Sequence, residues 1–151
     1  MELGAGTGMF ATAIAERLPD SEVYAVDISQ EMIDWMREHL QDDVRERVTP
    51  ILAEARSLPL SDDSVDLVTM IDVHHEFDDP HAALREARRV LRAGGTVLIA
   101  DWKPEPMPKG PPVEHRVSEE TIRNDLTLAG LVDVTTHPGL PFHTLVTALK
   151  G

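Results

Sequence analysis

The sequence predicts an α/β fold in which a doubly wound, mostly parallel sheet ends in an antiparallel β-hairpin. Short apolar runs alternate with stretches of helical periodicity along the chain, which is typical of parallel strands joined by crossover helices. A glycine-rich turn, residues 4–8, leads directly into the first helical pattern. The last two apolar segments are separated only by a short Pro-Gly-Leu-Pro loop, and so short a loop joins antiparallel strands.

Length and composition narrow the classes of protein that need to be considered. The 151 residues fit a single domain spanning 1–151. The net charge of −13 argues against binding to nucleic acid or to an anionic membrane surface, since both need a cationic face. The absence of cysteine excludes disulfides and thiolate chemistry. No membrane-spanning run or signal segment is present, so the cytoplasm is the expected compartment.

The first strand and the glycine turn form the stretch around which the other elements are arranged. Only Met1, Glu2 and Leu3 precede Gly4, whereas a strand usually has about five or six residues. We therefore expect a chain that begins inside its first strand. The next stretch has an amphipathic helical pattern, in which Phe10, Ile14 and Leu18 are spaced i, i+4, i+8 with Ala11 and Ala15 beside them.

Glycines in such a turn allow positive φ angles and let a ligand approach the backbone, while the free N–H groups of the helix start face that ligand. A dinucleotide site requires G-x-G-x-x-G, and its third glycine falls on Met9 when counted from Gly4. The upstream carboxylate, Glu2, would repel a pyrophosphate but suits a ligand that carries an ammonium and a sulfonium group.

The second strand, residues 23–26, leads to Asp27, at the position where α/β nucleotide folds place a carboxylate for ribose hydroxyls. The alternative is an exposed aspartate that caps a turn. Ser29 is a good N-cap for the second helix. Ile28 and Met32 lie beside Asp27 at the start of that helix, where they can contact an adenine face.

The later elements follow from their apolar runs and helix caps. Asp79 and Pro80 begin a helix that is expected to stop at Gly94-Gly95, and Ser118 caps the last one, which Gly130 ends. The predicted strands are residues 48–52, 65–71, 96–101, 131–136 and 142–149.

A proline-rich loop, residues 103–116, follows the fifth strand and stiffens the backbone at the ligand edge of the sheet. Two interpretations are open. The loop is either a plain surface crossover or a cover for an acceptor molecule. The side chains available for the second role are Trp102, Lys103, Lys109, His115 and Arg116.

Several blocks together resemble the class I S-adenosylmethionine-dependent methyltransferases, a Rossmann-like family. Residues 2–8 resemble its motif I, residues 53–68 its "G-D-A…L-P-F…F-D-x-V" block, and residues 86–95 its "E-x-x-R-V-L-K-P-G-G" signature. The terminal hairpin is also a family feature. The chain is most similar to the methyltransferase-11 and ubiquinone/menaquinone-biosynthesis group, without the N-terminal lid helices and most of the first strand that such proteins usually carry.

The resemblance implies in-line transfer of a methyl group from S-adenosyl-L-methionine to a small-molecule acceptor. It places the methionine part of the cofactor against Glu2 and the glycine turn, the ribose on Asp27, and the adenine on Glu54 and Ala55, with Asp72 near the methionine end. The complete set of implied cofactor-binding residues is Glu2, Gly4, Ala5, Gly6, Gly8, Asp27, Ile28, Met32, Glu54, Ala55 and Asp72.

His74 and His75 are the catalytic candidates if the acceptor must lose a proton, because imidazole titrates near neutral pH. The alternative is that they only pack or bond to the backbone. A metal site formed by His74, His75, Glu76 and His115 is not expected. Adjacent histidines of a strand point to opposite faces, and no H-E-x-x-H helix exists.

The sequence leaves two rival functions to be considered. The missing N-terminal part motivates a non-catalytic S-adenosylmethionine-binding remnant or interaction module. A nicotinamide oxidoreductase is disfavoured by Met9, Glu2 and the terminal hairpin. The acceptor, the accepting atom and a homo-oligomeric state stay open.

Overall fold

A computed structural model describes all 151 residues and places seven strands in one sheet, in the order β3-β2-β1-β4-β5-β7-β6. The strands are β1 (Glu2–Leu3), β2 (Val23–Asp27), β3 (Val48–Leu52), β4 (Val65–Ile71), β5 (Leu91–Trp102), β6 (Val132–His137) and β7 (His143–Leu149). The helices are α1 (Met9–Arg17), α2 (Gln30–His39), α3 (Asp42–Arg45), α4 (Pro80–Val90) and α5 (Glu119–Leu128). Two 3₁₀ turns span His74–Glu76 and Val113–His115.

The strand pairing confirms the predicted fold class. The first five strands in the sheet order, β3, β2, β1, β4 and β5, are parallel to one another. Strand β7 runs antiparallel to both β5 and β6. The order reverses at β1, which pairs with β2 on one side and with β4 on the other. In an open α/β sheet, ligands bind outside the carboxyl ends of the strands at such a reversal.

Helices cover both faces of the sheet and create two apolar cores. One core of 20 buried residues includes Leu84 of α4 and Ile122 and Leu126 of α5. The other core, of 10 buried residues, includes Ala11 of α1 and Ile33 of α2. Helices α1, α2 and α3 therefore lie on one face and α4 and α5 on the other, so β1 and much of β4 and β5 are buried between them. No helix is both long enough and apolar enough to span a membrane.

The buried face of α1 differs from the one expected from its large side chains. Ala11 and Ala15 are completely buried, whereas Phe10 and Ile14 are half-buried and Leu18 is 51% exposed. The small alanines let this helix approach β2 closely, and larger residues then fit only at the margin of the contact. The spacing correctly indicated a helix, but the stripe of large residues was the wrong guide to its inner face.

The junction between α4 and β5 also differs from the expectation. The helix ends at Val90, and Leu91 already pairs with Val65 as the first residue of β5. Gly94 and Gly95 therefore lie inside a strand rather than behind a helix, and the Gly94 N–H donates to the Lys150 carbonyl, 2.8 Å away. Pairing of this segment with β4 and with the end of the chain prevails over its local helical pattern.

The Glu86–Gly95 signature has a structural role in this fold. Glu86 accepts from the Leu58 N–H at 2.8 Å and pairs with Arg89 at 2.7 Å. Arg89 also donates to the carbonyl oxygens of Leu58 and Leu60. Helix α4 is thereby attached to the loop between β3 and β4.

We expect Arg89→Leu to lower the free energy of unfolding by about 2 kcal/mol, because several carbonyl and carboxylate groups lose their donor together. Urea denaturation measures this change. The matched control is Arg92→Leu, whose half-exposed guanidinium bonds only to Asp66 and which should cost less than about 1 kcal/mol. Equal losses in the two variants would contradict a structural role for Arg89.

Candidate functional site

A cleft of about 320 Å³ opens at the carboxyl ends of β1, β2 and β4, where the strand order reverses. Its volume lies at the lower end of the range typical of small-molecule sites. Six of the residues that the sequence singled out line it: Gly4, Gly6, Asp27, Ile28, Ala55 and Asp72. Residues from four separate parts of the chain thus converge on one cavity.

The glycine turn adopts the left-handed conformation at all three glycines, with φ of 68° at Gly4, 54° at Gly6 and 79° at Gly8. The surroundings of these glycines differ. A Cβ at Gly4 would come within 2.4 Å of Val73 Cγ2, whereas a Cβ at Gly6 would meet nothing within 4 Å. Gly4 is therefore needed for packing, and Gly6 leaves its side of the cleft open.

Asp27 secures the turn from the neighbouring strand. Its Oδ2 accepts from the Gly6 N–H at 2.7 Å, and its Oδ1 accepts from the Ser29 N–H at 2.9 Å. A carboxylate oxygen has two acceptor positions, so each oxygen keeps one position for a ligand. The turn-capping role and the ligand-binding role that the sequence left as alternatives are therefore compatible.

Glu2 lies beneath the turn and is only 1% exposed. Its Oε2 is enclosed and has no hydrogen-bond partner. Burial raises the pKa of Glu2 to about 7, although the Ala11 N–H and the nearby N-terminal amine favour the charged form. A buried carboxyl group with an unused acceptor is unusual, and a cationic ligand group would satisfy it.

The remaining candidate cofactor-binding residues lie around the cleft and do not line it. Ala5 is buried and its N–H bonds to the Val26 carbonyl. Gly8 packs against the side chain of Met36. Met32 is half-buried near the start of α2.

Glu54 is exposed and pairs with Arg56 at 2.6 Å. It borders an adjoining depression of about 260 Å³ that shares Ile28, Ala55, Phe77 and Asp78 with the cleft. The cleft therefore extends toward Glu54 past Ile28, an apolar side chain that is 72% exposed.

The two histidines after β4 have different environments, and neither lines the cleft. His74 is buried, and its Nε2 lies 3.1 Å from Asp125 Oδ2. Burial lowers the pKa of His74 below its ordinary value, against the opposing effect of Asp125. The His75 Nδ1 bonds to Asp101 Oδ1 at 2.7 Å, and Asp101 Oδ2 accepts from the His75 N–H at 2.9 Å.

Asp101 is completely buried at the end of β5. Its bonds to His75 hold the 3₁₀ turn that ends at Glu76, the first of the cleft-lining residues Glu76 to Asp78. His75 thus supports the wall of the cleft, and His74 joins the same turn to Asp125 of α5. No group of three His, Cys, Asp or Glu side chains is arranged to hold a metal ion.

The proline-rich loop is folded around Arg116. This buried guanidinium donates to the carbonyl oxygens of Lys103, Glu105, Lys109 and Pro111. Gly110 packs closely against the ring of Trp102. Arg116 therefore holds the loop together. Its N–H groups are directed at these backbone carbonyl oxygens and not at a bound methyl-acceptor molecule.

Sequence reasoning missed two groups of residues at this site. Val73 and the segment Glu76 to Asp78 line the cleft, and their position directly after β4 is a signal that identifies them. His143 lies 2.8 Å from Asp72, measured from Nε2 to Oδ1. The two residues are far apart along the chain, and no local pattern connects them.

Comparison of the sequence with known proteins finds similarity to methyltransferases. A family model described as a methyltransferase domain matches residues 1–99. The chain is 35% identical over 108 residues to a demethylmenaquinone methyltransferase of Clavibacter sepedonicus, covering 72% of this chain and 42% of that protein. It is 31% identical over 162 residues to a ubiquinone/menaquinone biosynthesis C-methyltransferase of Cupriavidus necator, covering 93% and 66%.

The fold is also similar to that of a solved methyltransferase structure. The structure of a SAM-dependent methyltransferase from Aquifex aeolicus superposes with a TM-score of 0.92 at 28% identity, covering 99% of this chain and 80% of that one. The chain spans 42% and 66% of the lengths of the two curated relatives above.

Proposed function

Because this chain belongs to the methyltransferase domain family, we propose that it transfers a methyl group from S-adenosyl-L-methionine to a small-molecule acceptor by in-line displacement. The observation that carries the proposal is the left-handed glycine turn, which is bonded to Asp27 beside an open cleft. The sulfonium of the cofactor makes the methyl group reactive. The task of the protein is therefore mainly alignment, which can correspond to effective molarities of roughly 10⁵–10⁸ M.

The residues in and around the cleft suit the parts of this cofactor. The enclosed Oε2 of Glu2 lacks a partner, which an ammonium group would supply. Asp27 keeps acceptor positions for ribose hydroxyls, and the exposed Ile28 offers an apolar surface to adenine. We assign Glu54 and Ala55 to the adenine edge and Asp72 to the methionine end. A single domain, residues 1–151, contains all of these groups.

For an acceptor that must lose a proton, we retain the two histidines after β4 as candidates and favour His75 over His74. The Nδ1 bond to Asp101 fixes the ring of His75 and leaves Nε2 as its basic nitrogen. His74 uses its Nε2 on Asp125 and is buried.

Calorimetric titration with S-adenosylhomocysteine and with NADH tests the proposal. We expect binding of S-adenosylhomocysteine only, and binding of NADH alone would overturn the assignment. Methyl transfer is then measured with radiolabelled S-adenosyl-L-methionine and a panel of acceptors. Demethylmenaquinone comes first because a relative is named for it. Binding without transfer to any acceptor would favour the rival function, a non-catalytic binding module.

The Gly6→Val variant is expected to lose at least about 100-fold in affinity for S-adenosylhomocysteine, because its side chain would occupy the open side of the turn. Gly94→Val is the matched control. Gly94 has a similar φ of 74° and equally open surroundings, but it lies outside the cleft. Retained affinity in Gly6→Val, or equal losses in both variants, would place the cofactor elsewhere.

A further inference from the structure

A third histidine lies at the ligand edge of the sheet. His143 is the first residue of β7 and pairs with Trp102, the last residue of β5. Since β7 runs antiparallel to β5, its first residue lies at the same edge as the carboxyl ends of β4 and β5. This position brings a residue from near the end of the chain to the edge of the sheet at which the cleft opens, although His143 is not itself among the residues that line the cleft.

Asp72 connects His143 to the cleft. Nε2 of the ring lies 2.8 Å from Asp72 Oδ1, and Asp72 lines the cleft. Both atoms are enclosed, and they are not aligned as a regular hydrogen bond. Bonds of this kind in catalytic sites often become aligned only when the reactants are bound. The Trp102 ring, 4.4 Å away between centroids, restricts the orientation of the imidazole.

The other ring nitrogen, Nδ1, makes no hydrogen bond within the chain, and only Nε2 of this ring is enclosed. The His143 side chain is 24% exposed. A carboxylate on one nitrogen and open space at the other is the arrangement of a histidine that accepts a proton. The His75 ring, by contrast, is 6% exposed and His74 is 1% exposed.

The backbone holds Asp72 in place at the edge of the cleft. Its φ of 57° is left-handed, a conformation that aspartate adopts more readily than most residues and that Asp63 and Asp133 also have. Its N–H bonds to the Ala100 carbonyl at 2.9 Å. The residue that both lines the cleft and contacts His143 is therefore anchored to the neighbouring strand.

We propose that His143, oriented by Asp72, is a further catalytic residue that accepts the proton of the methyl acceptor. The proposal rests on the proposed function. As the acceptor attacks, its bond to hydrogen breaks and its bond to the methyl carbon forms. The electron pair of the methyl–sulfur bond stays on sulfur, and the proton moves to Nδ1 of His143. Asp72 balances the charge of the resulting imidazolium. The acceptors that need this residue are those whose nucleophilic atom carries a hydrogen.

The first test needs no acceptor. Long-range ¹H–¹⁵N spectra of ¹⁵N-histidine-labelled protein at pH 8 report which ring nitrogen of His143 carries hydrogen. We expect hydrogen on Nε2 and none on Nδ1, and a mixture of both tautomers in Asp72→Asn. A wild-type ring protonated at Nδ1 would overturn the proposal, because that nitrogen could not accept a proton. An unchanged tautomer in Asp72→Asn would overturn the orienting role of Asp72.

The second test separates catalysis from cofactor binding. His143→Gln should bind S-adenosylhomocysteine within about twofold of wild type but lose about 10²-fold or more in kcat for an acceptor that wild type methylates. His137→Gln is the matched control, because His137 lies on the same hairpin and bonds to Thr147 instead.

Each outcome of the second test bears on a different claim. If wild type fails to bind S-adenosylhomocysteine, the proposed function fails and the catalytic role of His143 fails with it, whereas the tautomer measurement still decides whether Asp72 orients the ring. If His143→Gln keeps its kcat while His75→Gln loses it, the proton acceptor is His75 and the proposal is overturned.

Discussion

The Glu2→Gln variant is expected to be more stable than the wild-type chain by about 3 kcal/mol at pH 8. Burial raises the pKa of Glu2 from 4.5 to about 7, and a tenfold change in a proton-binding constant corresponds to about 1.4 kcal/mol. Above pH 7 the native state must hold a buried, incompletely bonded carboxylate, whereas the unfolded state exposes it to water. Glutamine has nearly the same shape and carries no charge, so it removes this cost.

The pH dependence follows from proton linkage. Between pH 4.5 and 7 the folded chain binds more protons at Glu2 than the unfolded chain does. The free energy of unfolding that Glu2 contributes is therefore fully present below pH 4.5 and is lost as pH rises through 7. The advantage of Glu2→Gln should shrink to about 1 kcal/mol at pH 5. Urea denaturation across this range measures it.

A control variant and a binding measurement complete this experiment. Glu16→Gln, at an exposed position of α1, should change stability by less than about 0.5 kcal/mol at either pH. If Glu2 receives the cofactor ammonium, the stabilised Glu2→Gln variant should also bind S-adenosylhomocysteine at least about tenfold more weakly. A stability difference that does not depend on pH would contradict the buried, protonated state of Glu2.

Gly4→Ala is expected to destabilise the chain by about 3 kcal/mol. The left-handed φ of 68° accounts for roughly 1–2 kcal/mol of this loss. The new Cβ would lie 2.4 Å from Val73 Cγ2, and relief of such overpacking typically costs another 1–3 kcal/mol or so. Since Val73 lines the cleft, its displacement should weaken cofactor binding as well. Urea denaturation and calorimetry measure the two effects.

Gly6→Ala is the matched control for Gly4→Ala. Its φ of 54° imposes a similar backbone strain, but no atom lies within 4 Å of the added Cβ. It should lose only about 1–2 kcal/mol. Adding Val73→Ala to Gly4→Ala should recover part of the loss, with a coupling energy of about 1 kcal/mol or more. Equal losses of stability in Gly4→Ala and Gly6→Ala, without recovery in the double variant, would mean that the Val73 side chain moves away from the added Cβ at little cost in free energy.

The elements that were predicted accurately are those whose local signals are strong. Strand β4 spans residues 65–71, as its apolar run indicated. Asp79 caps α4 through the Ala82 N–H, and Ser118 caps α5 through the Thr121 N–H. Caps and short buried strands depend on residues within a few positions of one another. They can therefore be recognised without knowledge of the rest of the fold.

The errors occurred where distant partners compete with a local pattern. The inner face of α1 depends on how closely the sheet allows the helix to approach, which selected Ala11 and Ala15 over Phe10. The start of β5 depends on pairing of Leu91 with Val65 and of Gly94 with Lys150. Neither partner can be identified from the periodicity of the segment itself.

For the site, the sequence by itself determined the conformational freedom of the glycine turn, the position of Asp27 at a strand end and the approximate extent of every strand except β5. These features follow from backbone freedom and hydrophobic periodicity, which act over a few residues. Only the tertiary structure decided that Glu2 is buried with an unused oxygen and that His143 meets Asp72. Burial and contact between distant residues depend on the strand order, and local sequence carries no record of which strand ends become neighbours.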